Sequence, residues 1–164
     1  AARLSGQIFL EATGADAALI SYNIYQPEVL SNLENGYGAN GQILPGKMSE
    51  EDITIFLPTG WYDTLQTATL TGNQIKQMAK DGCDLRDNGY PYPYVLMTKD
   101  GSALEDENEY TVVICGIPKA MKESGSLNLQ DTGIVGLDAA KEYLTKVGEL
   151  SSATLDDYLV QIVE

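Results

Sequence analysis

Residues 64–76 read Thr64-Leu-Gln-Thr-Ala-Thr-Leu-Thr71-Gly-Asn-Gln74-Ile-Lys76, and this stretch decides the fold. Its first half, TLQTATLT, alternates as a half-buried strand does, with Leu65, Thr67 and Thr69 on one face and Thr64, Gln66, Ala68 and Leu70 on the other. The period then changes. Thr71 and Gln74 stand three apart, the spacing at which a capping hydroxyl and an N3 side chain satisfy each other's backbone N–H. Ile75, Met78 and Ala79 follow at helical spacing as one apolar face. A strand that runs straight into a capped helix predicts a mixed α+β domain.

Towards the N-terminus, Leu4, Ile8, Leu10 and Ala12 predict a helix ending near Thr13-Gly14, where glycine suits the residue after the last turn. Ala15–Ser21 reads as a buried strand. Pro27 to Lys47 is polar and glycine-rich, the longest loop candidate. Ser49-Glu-Glu-Asp52 predicts a capped helical turn leading into the apolar Ile53-Thr-Ile-Phe-Leu-Pro58.

Towards the C-terminus, Tyr92–Thr98 and Tyr110–Ile117 are strand candidates. Lys99-Asp-Gly-Ser102 predicts a hairpin turn between them, since Asp-Gly tolerates positive φ. Gly136–Lys146 and Thr154–Val163 predict two closing helices, the second behind a cap at Ser151 or Ser152. No repeat, low-complexity segment or internal linker interrupts the series. The expected architecture is one α+β domain over 1–164, a mixed sheet packed with helices.

Composition narrows the function. The 164 residues carry 24 acidic and 10 basic side chains, a net charge of −14. A field of that sign repels phosphate backbones, so nucleic acid is not an expected partner. No apolar run approaches the ~20 residues of a membrane helix. Residues 1–20 lack the basic-then-apolar pattern of an export signal, so any such signal lies upstream. Histidine is absent altogether. That removes the commonest general base, the Ser-His and Cys-His nucleophile pairs, and the usual zinc ligands. Two cysteines, Cys83 and Cys115, make a poor transition-metal site alone, and their separation in sequence leaves open whether they pair. The acidic runs Glu50–Asp52 and Glu105–Glu107 lack the alternate spacing of a calcium loop and read as solvated surface. No metal site and no catalytic residue is expected within the chain.

Taken in order, several segments resemble the C-terminal domain of the 5′-nucleotidase family. Ala12–Ile20 (ATGADAALI) resembles the strand leading into that family's substrate loop, and Ile43–Ile53 the stretch after it. Leu57-Pro-Thr-Gly60, with Thr64-Leu65 and Leu70–Lys76, resembles the family's "lPFGNtl…ltGaqik" core. Glu109–Val113 resembles its "tYtVat" strand and Leu137–Leu144 its "dalaeyl" helix. The resemblance implies a domain that holds the nucleoside end of a substrate. It also implies an N-terminal metallophosphoesterase domain of the same polypeptide, carrying divalent metals and the chemistry, in an extracellular, periplasmic or cell-surface protein.

The departures fall mostly at the family's ligand positions. After the first strand the family has an Asn-Gly-Gly-Gly-Ile-Arg type loop; here Ser21-Tyr-Asn23-Ile-Tyr-Gln26 stands there, with Gln26 at the arginine. Thr59 takes the place of the first base-stacking Phe, ahead of Gly60 and an inserted Trp61-Tyr62-Asp63. Ile117 stands where the second aromatic belongs, and the family's Gly-Gly-Asp-Gly motif is absent. Gly89, before the Tyr92 strand, matches a family glycine. The candidate ligand-facing residues are therefore Asn23, Gln26, Thr59, Gly60, Trp61, Tyr62, Asp63, Gly89, Tyr92 and Ile117. Trp61 and Tyr62 read either as a repositioned aromatic platform or as packing of the turn, and Tyr90, Tyr92 and Tyr94 as sheet packing or ligand stacking.

Three functions stand open on this reading: a substrate-recognition domain for a nucleoside or other small molecule, a structural or protein-binding descendant of that domain, and an independent small enzyme. The lack of histidine, of Walker-type glycines and of any nucleophile motif argues against the third.

Overall fold

A computed structural model of the chain describes residues 1–21, 43, 45–59, 62–84, 94–115, 125, 127–151 and 160–162. In chain order the elements are α1 (Ala2–Thr13), β1 (Ala17–Ser21), α2 (Glu50–Phe56), β2 (Thr64–Thr71), α3 (Gly72–Asp84), β3 (Tyr94–Thr98), β4 (Glu109–Cys115), β5 (Gln130–Val135), α4 (Gly136–Val147) and β6 (Val160–Ile162). The strands form one sheet in the order β5-β2-β4-β1-β3-β6. β1 runs parallel to β4, and the other pairings are antiparallel, so the sheet is mixed. The expected α+β class is the observed one.

The decisive stretch folds as its period change requires. β2 ends at Thr71, whose Oγ1 accepts from the Gln74 N–H at 3.3 Å while Gln74 Oε1 accepts from the Thr71 N–H at 2.9 Å. This reciprocal cap satisfies two donors that a helix start otherwise leaves open. Thr71→Ala is expected to lower the unfolding free energy by about 1 kcal/mol through loss of the capping bond, read as a lower urea midpoint at unchanged slope.

The sheet has a core on each side. On one face Ala18, Ile20, Leu65, Val95, Met97 and Val113 meet Leu4, Ile8 and Phe9 of α1, Ile53 and Phe56 of α2, and Leu137, Ala140 and Tyr143 of α4. On the other, Ala17, Leu19, Ala68, Leu70, Leu96, Val112 and Ile114 meet Ile75 and Ala79 of α3. β1 and β3 are buried at every position, which is why their sequences read as unbroken apolar runs. Each fully buried Leu, Ile or Phe side chain contributes about 1.5–3 kcal/mol relative to exposure.

The first helix ends at Gly14, whose φ of 69° lets its N–H close on the Leu10 carbonyl at 2.9 Å. Ser49 and Asp52 form the expected capping box at the start of α2. The 27–47 loop candidate lies outside the described residues apart from 43 and 45–47.

Three expectations need correction. The turn at Lys99–Ser102 forms, with Gly101 at φ 73° and the Ser102 N–H held by Asp100 Oδ1 at 3.0 Å. The strands it follows and precedes are not a hairpin, because β1 lies between β3 and β4. Strands apolar on both faces carry no alternation from which a partner could be chosen. The second correction concerns the closing helix over Thr154–Val163: Val160–Ile162 is instead strand β6, paired with Val95–Met97 of β3. Pairing with an otherwise open sheet edge overrides a weak helical period there. Third, β5 has no counterpart among the predicted elements. It is an irregular outer strand, with a register shift opposite Thr64–Gln66 and Gly133 at φ 70°, which obscures any period-2 pattern.

Candidate ligand-facing site

The sheet register brings together the strand ends that border the candidate segments. β1 and β4 are parallel, and Ile20 stands opposite Cys115, so both strands finish at the same end of the sheet. β3 starts there, Tyr94 opposite Ser21, and β2 starts nearby, Gln66 opposite Ile114. Asn23 and Gln26 follow β1, Ile117 follows β4, Gly89 and Tyr92 precede β3, and 59–63 precede β2. The strand ends nearest to these candidates in sequence thus lie at one end of the sheet. Of the candidates, Asn23, Gln26, Gly60, Trp61, Gly89, Tyr92 and Ile117 lie outside the described residues. Thr59, Tyr62 and Asp63 are described.

These three sit on the connection between α2 and β2, and its ends are tied. The Cys115 thiol donates to the Pro58 carbonyl at 3.0 Å, and the Gly136 N–H donates to the Asp63 carbonyl at 3.0 Å. Thr59 lies over the first residue of α4: a Cβ placed on Gly136 would come within 2.9 Å of its Oγ1 and 3.2 Å of its Cγ2. The Thr59 hydroxyl is itself buried and has no hydrogen-bond partner among the described residues. Its side chain is spent on packing against α4 and offers no stacking face.

Tyr62 is the opposite case, 86% exposed beyond this anchored base. An aromatic ring held out on a tied turn has ring area left for a partner. It stands close enough to Lys141 on α4 to act on that ammonium electrostatically. The Glu50 carboxylate, bonded to Lys141 at 2.9 Å, is the main cause of a pKa raised above 10.5, and Asp138 and Tyr62 add to it. Lys141 and Glu50 are neighbours of the site that sequence reasoning did not single out; helical spacing alone could not have joined α2 to α4. Tyr94, the third of the tyrosine ladder, is 1% exposed among the residues that face α3, so it is sheet packing. Among the described residues no group of three or more His, Cys, Asp or Glu side chains could hold a metal ion, and no helix is long and apolar enough to cross a membrane.

No protein-family profile and no curated protein matches the sequence. Solved structures do match the fold. The NAD nucleotidase of Haemophilus influenzae superposes with a TM-score of 0.62 at 14% identity, over 89% of this chain and 30% of that one. A 5′-nucleotidase precursor from Thermus thermophilus does so with a TM-score of 0.58 at 15% identity, over 92% of this chain and 33% of that one. The chain therefore shares its fold with part of these nucleotidases and spans about a third of their length.

Proposed function

We propose that the chain is the substrate-recognition domain of a 5′-nucleotidase-like phosphohydrolase of nucleotide catabolism, without chemistry of its own and with a degenerate nucleotide clamp. What supports this reading is a fold shared with about a third of two nucleotidases, in which the ends of β1 and β4 and the starts of β2 and β3 lie at one end of the sheet. Divalent metals and the reacting groups belong, on this proposal, to an upstream metallophosphoesterase domain of an exported polypeptide. Its signature would be an Asp-x-His and an Asn-His-Glu or Asn-His-Asp set in the full-length gene.

A second reading, a structural or protein-binding module descended from the same domain, is favoured by one observation. Thr59, at the stacking position, packs its side chain against Gly136 and presents nothing to a base.

The absence of histidine gives the first reading a direct test, because two-metal phosphoester hydrolysis needs clustered ligands. Supplied with manganese, cobalt or zinc, the protein is expected to release no phosphate from AMP, UDP-glucose or p-nitrophenyl phosphate. Turnover that co-purifies with the chain and disappears on mutation of its own carboxylates would make it an enzyme in its own right.

A further inference from the structure

Away from the candidate site, α1, β5 and α4 enclose an open groove of about 460 Å³. Its solvent-facing apolar surface comes from Ala12, Ile134 and Val135, all partly buried and packed on the core beneath. Glu11 on α1 and Asp138 and Glu142 on α4 rise along its rim, all exposed. Lys146 also lines it and is ion-paired with Glu11. Asp138 and Glu142 stand four apart on one helix face. Lys141 beside Asp138 and Lys146 four residues after Glu142 offset part of this negative charge, which leaves three carboxylates against one lysine along the groove.

We propose that this groove is a docking surface for a basic amphipathic peptide segment of a partner protein. The partner's apolar side chains would sit on Ala12, Ile134 and Val135, while its lysines or arginines would bridge Asp138 and Glu142 and compete with Lys146 for Glu11. Charge complementarity fixes this choice of occupant. Three carboxylates against one lysine line the groove, so a basic segment is favoured over an acidic or neutral one and is drawn in by the −14 field. An amphipathic segment meeting an apolar channel is a recurrent mode of recognition. The surface does not rest on the nucleotidase reading: none of the described candidate ligand residues, Thr59, Tyr62 and Asp63, lines it.

An acidic protein attracts any cationic peptide, so the test must separate the groove from the field. The probe is a synthetic amphipathic helical peptide of leucine and lysine, titrated calorimetrically into three variants. Ala12→Trp fills the groove at constant charge. Glu11→Gln with Asp138→Asn and Glu142→Gln removes three charges at the rim. Glu105→Gln with Glu107→Gln and Glu109→Gln removes three charges elsewhere, around the loop that caps α3. Both groove variants are expected to weaken binding about tenfold or more, and the distant triple by less than about twofold. Equal losses in the two triples, or wild-type affinity in Ala12→Trp, would show attraction by the overall field alone and overturn the proposal. The rim triple changes only exposed side chains, so it stays informative should the tryptophan variant fail to fold.

Discussion

Gly72→Ala is expected to lower the unfolding free energy by about 3 kcal/mol, although alanine is the better helix former by about 1 kcal/mol. Gly72 is the first residue of α3, and a loop from β4's approach crosses directly over it. A Cβ there would lie 2.2 Å from the Glu105 carbonyl oxygen and 2.9 Å from its carbon. These are backbone atoms, so no side-chain rotation relieves the clash. The loop cannot withdraw cheaply either. The Asn108 carbonyl accepts from the Gly72 N–H at 2.9 Å, and the Asp106 carbonyl from the Asn73 N–H at 3.0 Å. Lys76 reaches back to Asp106 at 2.8 Å. Moving the loop by the ångström or more that a methyl group needs would break the two backbone bonds and strand helix-end donors, each worth on the order of 1 kcal/mol. Equilibrium urea unfolding checks the value. An unchanged or raised midpoint would mean that the loop does not close over α3 as described.

Thr71 and Gly72 also show how far the sequence could be read. The cap was legible because its partner, Gln74, is three residues away and the reciprocal bonds are local. The reason for glycine beside it was not, because the obstructing carbonyl comes from Glu105, more than thirty positions later. The same division holds elsewhere. α1, α3 and α4 announce themselves as helices in the sequence, α1 also through its terminal glycine and α3 through its cap, whereas α2 shows only its capped first turn at Ser49–Asp52 and runs on to Phe56. Partner choice among β1, β3 and β4 stays hidden because all three are apolar on both faces. β6 was read as helix since three residues, Val160-Gln-Ile162, carry too little pattern to oppose the helical period around them. At the candidate site, the resemblance sets Thr59 where an aromatic face would stand, and the structure adds that Thr59 packs on Gly136. The tie between Glu50 and Lys141 beside Tyr62 joins two helices about ninety residues apart and could be found only in the fold.

Nucleotides are expected to bind this protein several hundredfold more weakly than an intact clamp of the resembled kind would hold them. Two base-stacking faces contribute about 1–3 kcal/mol each, and a charged arginine hydrogen bond about 1.5–3 kcal/mol. Even the lower bounds add to about 3.5 kcal/mol. On the proposed reading Thr59, Ile117 and Gln26 stand at those three positions, and none supplies a ring face or a guanidinium fork. The net charge of −14 adds repulsion for any anionic ligand. The central claim, a nucleotidase-type fold whose nucleotide clamp has been replaced, is tested most directly by titration. The chain has one tryptophan, Trp61, within the candidate loop, and its emission serves as a local reporter. Adenosine, AMP, UMP and UDP-glucose are added to millimolar levels, with Trp61→Phe followed by calorimetry as the control. The account predicts no saturable change for any of the four. Saturable quenching with a dissociation constant below about 100 µM, roughly −5.5 kcal/mol, would contradict it and show a working clamp rebuilt around Trp61 and Tyr62.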